Sequence, residues 1–445
     1  MSPHYSLLEL PYEDNLGMHY AKFSHCPGFV LLESCDVRHG RYDILSAYPY
    51  ARFRCERFSQ IPEFIQQLEQ ALPNQSLPVE LPFQGGLIGY FSYEFGASMC
   101  GISTHAHTIL GDIEGHLADF GLYDWAIIAD HVSHKVWLFA AHRDPETKNI
   151  IAHIHTEWHR NQDCPSSASF GSSGLKPRIS ESQYKQAFDK IWQDLAHGRC
   201  YQVNFTQPFE ATWRGELWQC YEKIRAANPV PYAAYLHTDD QTIVSFSPER
   251  FLSIEGQKCL ASPIKGTAAR SSDPVIDQAY QEALSQCKKN RAENTMIVDL
   301  WRNDLSKISM TGTVHVSRLC GVESYASVHH LVSTIESTLR PDVSLLQAFL
   351  HCFPAGSITG APKLEAMQMI YELEAFARGV YCGSIAYFSA HGKMDSNIAI
   401  RTLVANKNSI TVATGGGIVI NSDVETEYAE CFVKLQAFMR ALQEP

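Results

Sequence analysis

Short apolar and aromatic runs, broken by polar and glycine-rich stretches, predict strands through the first third of the chain. Phe29–Leu32, Gly86–Phe91 and Trp125–Ala129 are too short for helices and are bounded by turn-forming residues. Further strands are expected at Thr242–Phe246, Gly383–Phe388, Ile398–Val404 and Ser409–Thr414. Apolar positions recurring at about 3.6 residues predict helices elsewhere. One opens at Ser180, runs through Phe188, Ile191, Trp192 and Leu195, and is closed by Gly198. Others are expected at Pro274–Asn290, continuing or restarting through Arg291–Trp301, and at Leu345–Cys352, Pro362–Phe376 and Val424–Leu442. Strand runs with single interspersed helices read as α+β rather than as a regular βαβ alternation. The Ser/Gly-rich stretch Asp163–Gly174 reads as a linker or exposed loop, which places a boundary near residues 163–178 and divides the chain into 1–165 and 175–445. At 445 residues, two large units or one interleaved body both remain open.

Composition narrows the class. Hydrophobic residues at 45% and charged residues at 19% are ordinary for a globular chain. Thirty-six Lys and Arg against 48 Asp and Glu give a net charge of −12, which disfavours nucleic acid and anionic membrane as partners. No apolar run reaches the roughly 18 residues of a membrane span. The start Met1-Ser2-Pro3-His4-Tyr5 lacks the basic and apolar regions of a signal peptide. Thirteen cysteines, scattered singly and without a C-x-x-C pair, fit small buried thiols in a reducing compartment. The expectation is a soluble cytoplasmic protein.

Several clusters can carry chemistry. In the last helix Ser422-Asp423-Val424-Glu425 fits a capping box, with Ser422 at the cap. Glu427, Glu430 and Lys434 then share one helical face, and two carboxylates one turn apart suit a hard divalent cation. The same spacing in a solvated acidic face would look identical. Asn290 and Glu293 repeat the i, i+3 pattern on an earlier helix. Gly415-Gly416-Gly417 can converge backbone N–H groups on an anion, or form a bulge or tight turn. Gly356–Lys363 resembles a phosphate loop but fails the Walker spacing, leaving a loop that feeds a helix whose first position is Pro362. Lys265, in Pro263-Ile264-Lys265-Gly266-Thr267, becomes a nucleophile if it is enclosed among cations and otherwise sits in a solvated turn. The pairs and triplets His105/His107, His153/His155/His159 and His329/His330 carry no metal-ligand pattern, and the first five read as surface or packing residues.

Taken in order, these strings resemble a known family. Ser247–Phe251, Pro263–Thr267, Arg291–Asn294 with Asp299-Leu300 and Arg302–Asp304, Val328–Leu331, Gly356–Lys363, Arg401–Leu403, Thr414–Val419 and the Glu427/Glu430/Lys434 set are similar to the chorismate-utilising enzymes. That family includes anthranilate synthase component I, aminodeoxychorismate synthase component I, and the isochorismate and salicylate synthases. The resemblance spans nearly the whole chain. Leu31–Ser34, Gly85–Phe95 and Tyr123–Ala126 narrow it to the two amidotransferase-linked members. Lys265, where anthranilate synthases usually carry alanine, and Tyr201–Asn204 bring it closest to the aminodeoxychorismate synthase branch. Gln202 replaces the water-activating lysine of the isochorismate and salicylate synthases.

The resemblance implies a two-part body of large antiparallel sheets with flanking helices, and a set of roles. Chorismate would bind with its ring carboxylate on Mg²⁺ held by Glu293, Glu430 and Glu427. Its enolpyruvyl carboxylate would meet Tyr387, Arg401, Lys434 and the backbone of Gly415, Gly416 and Gly417. Thr267 and His330 would line the ring. Lys265 would attack C2 while Glu249 protonates the departing 4-hydroxyl, and ammonia would then add at C4 to give 4-amino-4-deoxychorismate, the precursor of 4-aminobenzoate and folate. The chain has no G-x-C-x-G string, so ammonia is expected from a class I glutamine amidotransferase subunit. A tryptophan pocket would involve Ser34, Arg41, Tyr42, Pro231 and Tyr232. Asn290, Ala386 and Thr414 depart from the usual pattern. An anthranilate synthase component, or a non-catalytic paralogue that binds chorismate or tryptophan, stands as the alternative.

Overall fold

The computed structural model describes residues 5–102, 115–160, 169–326 and 328–443; His105 and His107 lie outside them. Among the described residues, two antiparallel sheets of thirteen and ten strands carry the fold, with helices packed on their faces. The α+β expectation holds. Both sheets draw strands from either side of the boundary expected near residues 163–178. In the larger sheet the N-terminal strand Val30–Glu33 pairs with Tyr232–His237. In the smaller, Gly86–Phe91 pairs with Ser384–Ser389 from Gly86↔Ser389 to Phe91↔Ser384. The two segments therefore share hydrogen-bonded ladders instead of enclosing separate cores.

The longest strand pairing sets the floor of the site. Gln202–Arg214 runs antiparallel to Ser409–Val419, in register from Gln202↔Val419 to Thr212↔Ser409. Val203, Phe205 and Ile418 are buried with Tyr184, Phe188 and Ile191 of the helix Glu181–Ala196. That helix carries a true capping box, Ser180 with Gln183, and Gly198 takes φ +78 just beyond its end. Each large side chain buried in this way contributes roughly 1.5–3 kcal/mol.

Four local expectations change. The helix expected at Pro274–Asn290 does restart, but the break falls earlier, at Cys287, which is extended (φ −62, ψ 107) between Pro274–Gln286 and Lys288–Ser306. The strand expected from Ile398 begins at Thr402, because Arg401 takes a left-handed φ of +50 and breaks the ladder. Pro362 is the N-cap of Lys363–Leu373, not its first turn, and Lys363 Nζ is spent on Asp304 and the carbonyls of Cys352 and Pro354. Asp423, not Ser422, caps the last helix through Thr426 N–H at 2.9 Å, while Ser422 Oγ donates to Glu427 at 2.7 Å.

Candidate active site

The edge strand Ile264–Ala269 presents Lys265 and Thr267. Gly266, at φ +83, sits in a register break between Ile264 and Thr267, and a Cβ there would meet the Asn290 side chain at 2.9 Å. Only glycine allows this kink beside Asn290. Lys265 Nζ donates to the carbonyl of Ser357 at 3.1 Å. Glu249 follows the strand Thr242–Ser247 and is held at both backbone ends: its N–H donates to Ser247 Oγ (3.1 Å) and its carbonyl accepts from Ile398 N–H (3.0 Å). Its Oε1 accepts a long bond from Ile264 N–H, 3.4 Å. Burial pushes the Glu249 carboxyl up to about 7, against the pull of Lys265, Ser357 and the Ile264 N–H. Burial pushes the Lys265 amine down, and Lys434 adds to that, while Glu249, Glu293 and Glu430 oppose it. An acid that keeps its proton thus stands near an amine that gives its proton up more easily than usual, the division of labour expected of an acid and a nucleophile.

A second wall gathers Arg401, Lys434 and the glycine strand. Arg401 is half-buried; its desolvation lowers the guanidinium's affinity for its proton, and among the described residues no carboxylate forms an ion pair with it. A desolvated cation without a counter-ion is costly unless a ligand supplies one. Its charge, after burial, helps push His330 down to about 3. His330 is therefore neutral, and its Nδ1 lies 3.0 Å from Thr267 Oγ1. Gly415, Gly416 and Gly417 form neither bulge nor turn; they lie in the strand Ser409–Val419 opposite Thr206, Phe205 and Asn204. Lys434 Nζ donates to Gly415 O at 2.7 Å, so the polar groups of Gly415 point off the ladder and its N–H points the same way. On the opposing strand, both amide atoms of Gln202 and the Oδ1 of Asn204 are buried without a hydrogen-bond partner.

The third element is acidic. Glu427 is 6% exposed and raised by burial and by the neighbouring charge of Glu430. Glu430 pairs with Lys434 at 2.7 Å, and Glu293 approaches Lys289 at 4.0 Å. No group of three or more His, Cys, Asp or Glu side chains is gathered at ligating distance among the described residues. The donor set nonetheless fits a hard cation: all its atoms are carboxylate oxygens, and the mutual repulsion of Glu427 and Glu430 is what such a cation relieves.

The structure separates one residue from the substrate set. Tyr387 does not face Arg401; it lines a cavity of about 630 Å³ together with Ser34, Arg41, Tyr42, Pro231 and Tyr232. Its ring packs edge-on against Phe83 at 5.9 Å. The reason is strand parity: on Ser384–Ser389, Tyr387 opposes Asp395 and shares a face with Ile385, which lines the same cavity. Tyr381, in the turn before that strand, is 7% exposed and lies near Cys431 of the C-terminal helix. Sequence reasoning passed over Tyr381, and also Glu374 and Arg378, because a tyrosine in a glycine-bounded turn and an i, i+4 ion pair both look like surface features. Ala386, 1% exposed, faces the core.

The fold and the sequence match known proteins. The chain belongs to the chorismate-binding enzyme family, whose model matches residues 28–440. It is an enzyme homologous over nearly its whole length to aminodeoxychorismate synthase component 1: the Salmonella typhimurium protein is 37% identical, covering 98% of both chains, and the Escherichia coli protein is 36% identical, covering 97% of both. Anthranilate synthase component I from Streptococcus pneumoniae superimposes with a TM-score of 0.80 at 28% identity, covering 90% of this chain and 92% of that one. The menaquinone-specific isochorismate synthase from Escherichia coli shares the fold, with a TM-score of 0.75 at 17% identity, over 100% of this chain and 95% of its own. No helix among the described residues is long and apolar enough to cross a membrane.

Proposed function

We propose that this protein aminates chorismate at C4, as the component of a two-part aminodeoxychorismate synthase that takes ammonia from a class I glutamine amidotransferase and feeds 4-aminobenzoate and folate synthesis. The observation that carries the reading is the pairing of Lys265 with Glu249, one pushed down and the other up to about 7. Chorismate carries two carboxylates. Arg401, Lys434 and the N–H groups around Gly415–Gly417 receive the enolpyruvyl carboxylate, and Thr267 and His330 line the ring. Glu293, Glu430 and Glu427 would hold Mg²⁺, which when bound clamps the ring carboxylate and draws electron density from the ring.

Neutral Lys265 forms a bond to C2 as the ring double bonds shift and the C4–O bond breaks. Glu249 gives its proton to the leaving oxygen, which departs as water. Ammonia then adds at C4, the C2–N bond breaks, and the lysine amine is restored. Gln202 offers no base to activate water, which favours ammonia. The cavity around Ser34, Arg41, Tyr42, Pro231 and Tyr232 takes L-tryptophan, with Tyr387 as an added aromatic wall.

Incubating the protein with chorismate, Mg²⁺ and ammonium should yield 4-amino-4-deoxychorismate by mass. Anthranilate with pyruvate would instead place it with the anthranilate synthases, and binding without turnover in the presence of an amidotransferase would mark a non-catalytic paralogue. Lys265→Ala should abolish a covalent adduct to the protein; full activity in that variant removes the nucleophile assignment.

A further inference from the structure

The most deeply buried ion pair among the described residues lies behind the site. The side chains of Glu374 and Arg378 are 2% and 1% exposed. Arg378 donates Nε to Glu374 Oε2 (2.8 Å), Nη1 to Ile358 O (2.9 Å), and Nη2 to both Asn204 O and Glu374 Oε1 (2.7 Å each). Glu374 Oε1 also accepts the N–H of Thr206 at 2.9 Å. Tyr93 lies 4.6 Å beneath the guanidinium, and Glu94 accepts the N–H groups of Arg378 (2.7 Å) and Gly379 (2.9 Å).

These bonds join two walls of the site. One is the turn Gly356–Ile358: the guanidinium holds the Ile358 carbonyl, and the carbonyl immediately before it, Ser357 O, is the acceptor for Lys265 Nζ. The other is the strand carrying the unpartnered Gln202 amide and Asn204 Oδ1, opposite the glycine triplet. A structural brace alone would be better served by apolar packing, since two buried charges rarely repay their desolvation. What the pair supplies is direction: fixed donors aimed at two carbonyls from a planar fork.

We propose that Arg378, braced by Glu374, is the positioning residue for Lys265: it fixes the Gly356–Ile358 turn so that Ser357 O aims the amine, and it sets that turn against the Gln202–Thr206 strand. The inference rests on the reading of Lys265 as nucleophile, so its test includes a measurement that does not need turnover.

The charged groups around Lys265 are Glu249 from the end of one strand, Glu293 from the helix Lys288–Ser306, and Lys434 and Glu430 from the last helix, and none is altered in the variants. Removing one partner alone would strand a buried charge and risk unfolding. The double variant Arg378→Gln/Glu374→Gln removes the charges together, and Arg378→Lys keeps both charges without the fork. With ammonium as nitrogen source, both should lose kcat by about ten- to a hundredfold while KM for chorismate changes less than about threefold. Trace acetylation of Lys265 with acetic anhydride, read by peptide mass spectrometry across pH without chorismate, reports the amine directly. Loss of the Ser357 acceptor destabilises the ammonium, so the labelling profile should move to lower pH by about one unit. A folded double variant whose kcat and labelling profile both match the parent overturns the proposal. So does a fall in kcat that merely tracks a lower folded fraction, with the labelling profile unmoved. If Lys265→Ala retains activity, the nucleophile reading fails on its own, while the labelling shift still decides whether Arg378 positions the lysine.

Discussion

Lys265 and Glu249 behave as a pair because neither environment alone would serve. Each is desolvated, and desolvation disfavours charge in both, so the low-energy arrangement of one shared proton is a neutral amine beside a neutral acid or the corresponding ion pair. Both forms carry the same number of protons, so activity should follow a bell-shaped pH profile: acid adds a second proton and silences the amine, and alkali strips the acid. Glu249→Gln should lower kcat by about a hundredfold or more and remove the contribution of Glu249 to the alkaline limb, measured as kcat/KM against pH with ammonium. A variant that keeps the parental alkaline limb would show that another group donates the proton. Arg401 illustrates the same logic for binding. Its left-handed φ of +50 removes it from the ladder, and its carbonyl accepts from Phe246 N–H at 2.9 Å, leaving the guanidinium for a ligand.

At the scale of elements, the glycine strand and the last helix are fitted to one another. A Cβ on Gly416 would meet Glu427 Oε2 at 2.8 Å and Lys434 Nζ at 3.7 Å, both ends of flexible side chains. A Cβ on Gly415 would instead meet the Phe205 carbonyl at 2.1 Å, which is backbone. Gly416→Ala should therefore leave the thermal midpoint within about 2 °C of the parent yet displace Glu427 and raise the Mg²⁺ concentration needed for half activity. Gly415→Ala should destabilise by about 1–3 kcal/mol in urea unfolding. Equal loss of stability in both variants would contradict this account of the strand's two faces. The parity that separates Gly415 from Gly416 also sends Tyr387 to the other cavity, since successive strand residues point to opposite faces.

Across the whole molecule, buried titratable groups set opposing dependences of stability on pH. Burial raises Glu94 and Glu249 to about 7, so the stability tied to their protons is present below the ordinary carboxyl value of 4.5 and lost as pH rises through 7. Burial lowers His330 to about 3 and His391 to about 4, so their contribution is present above the ordinary 6.5 and lost as pH falls towards those values. Glu94→Gln should accordingly gain thermal stability relative to the parent between pH 5 and pH 8, by up to a few kcal/mol at about 1.4 kcal/mol per unit. Thermal scans at both pH values check the sign, and a difference that stays constant removes Glu94 from the explanation. The net charge of −12 does not help capture a dianion, and screening over about 8–10 Å confines the attraction to nearby cations, Arg401 and Lys434.

The sequence by itself determined the class of fold, most element positions and the chemical character of the site. Those features depend on local periodicity and on side chains whose chemistry does not change with context, such as the carboxylates at i, i+3 on the last helix. Only the tertiary structure decided which strands meet, because hydrogen-bonded ladders joining residues hundreds of positions apart leave no local trace. It also decided, through strand parity, that Tyr387 lines the second cavity, and which charges are buried. Glu374 and Arg378 read as an ordinary solvated pair until the fold encloses them, and Lys265 as a turn lysine until Glu249 is buried beside it. Burial converts each from a solvated charge into a group whose protonation and direction are set by its neighbours.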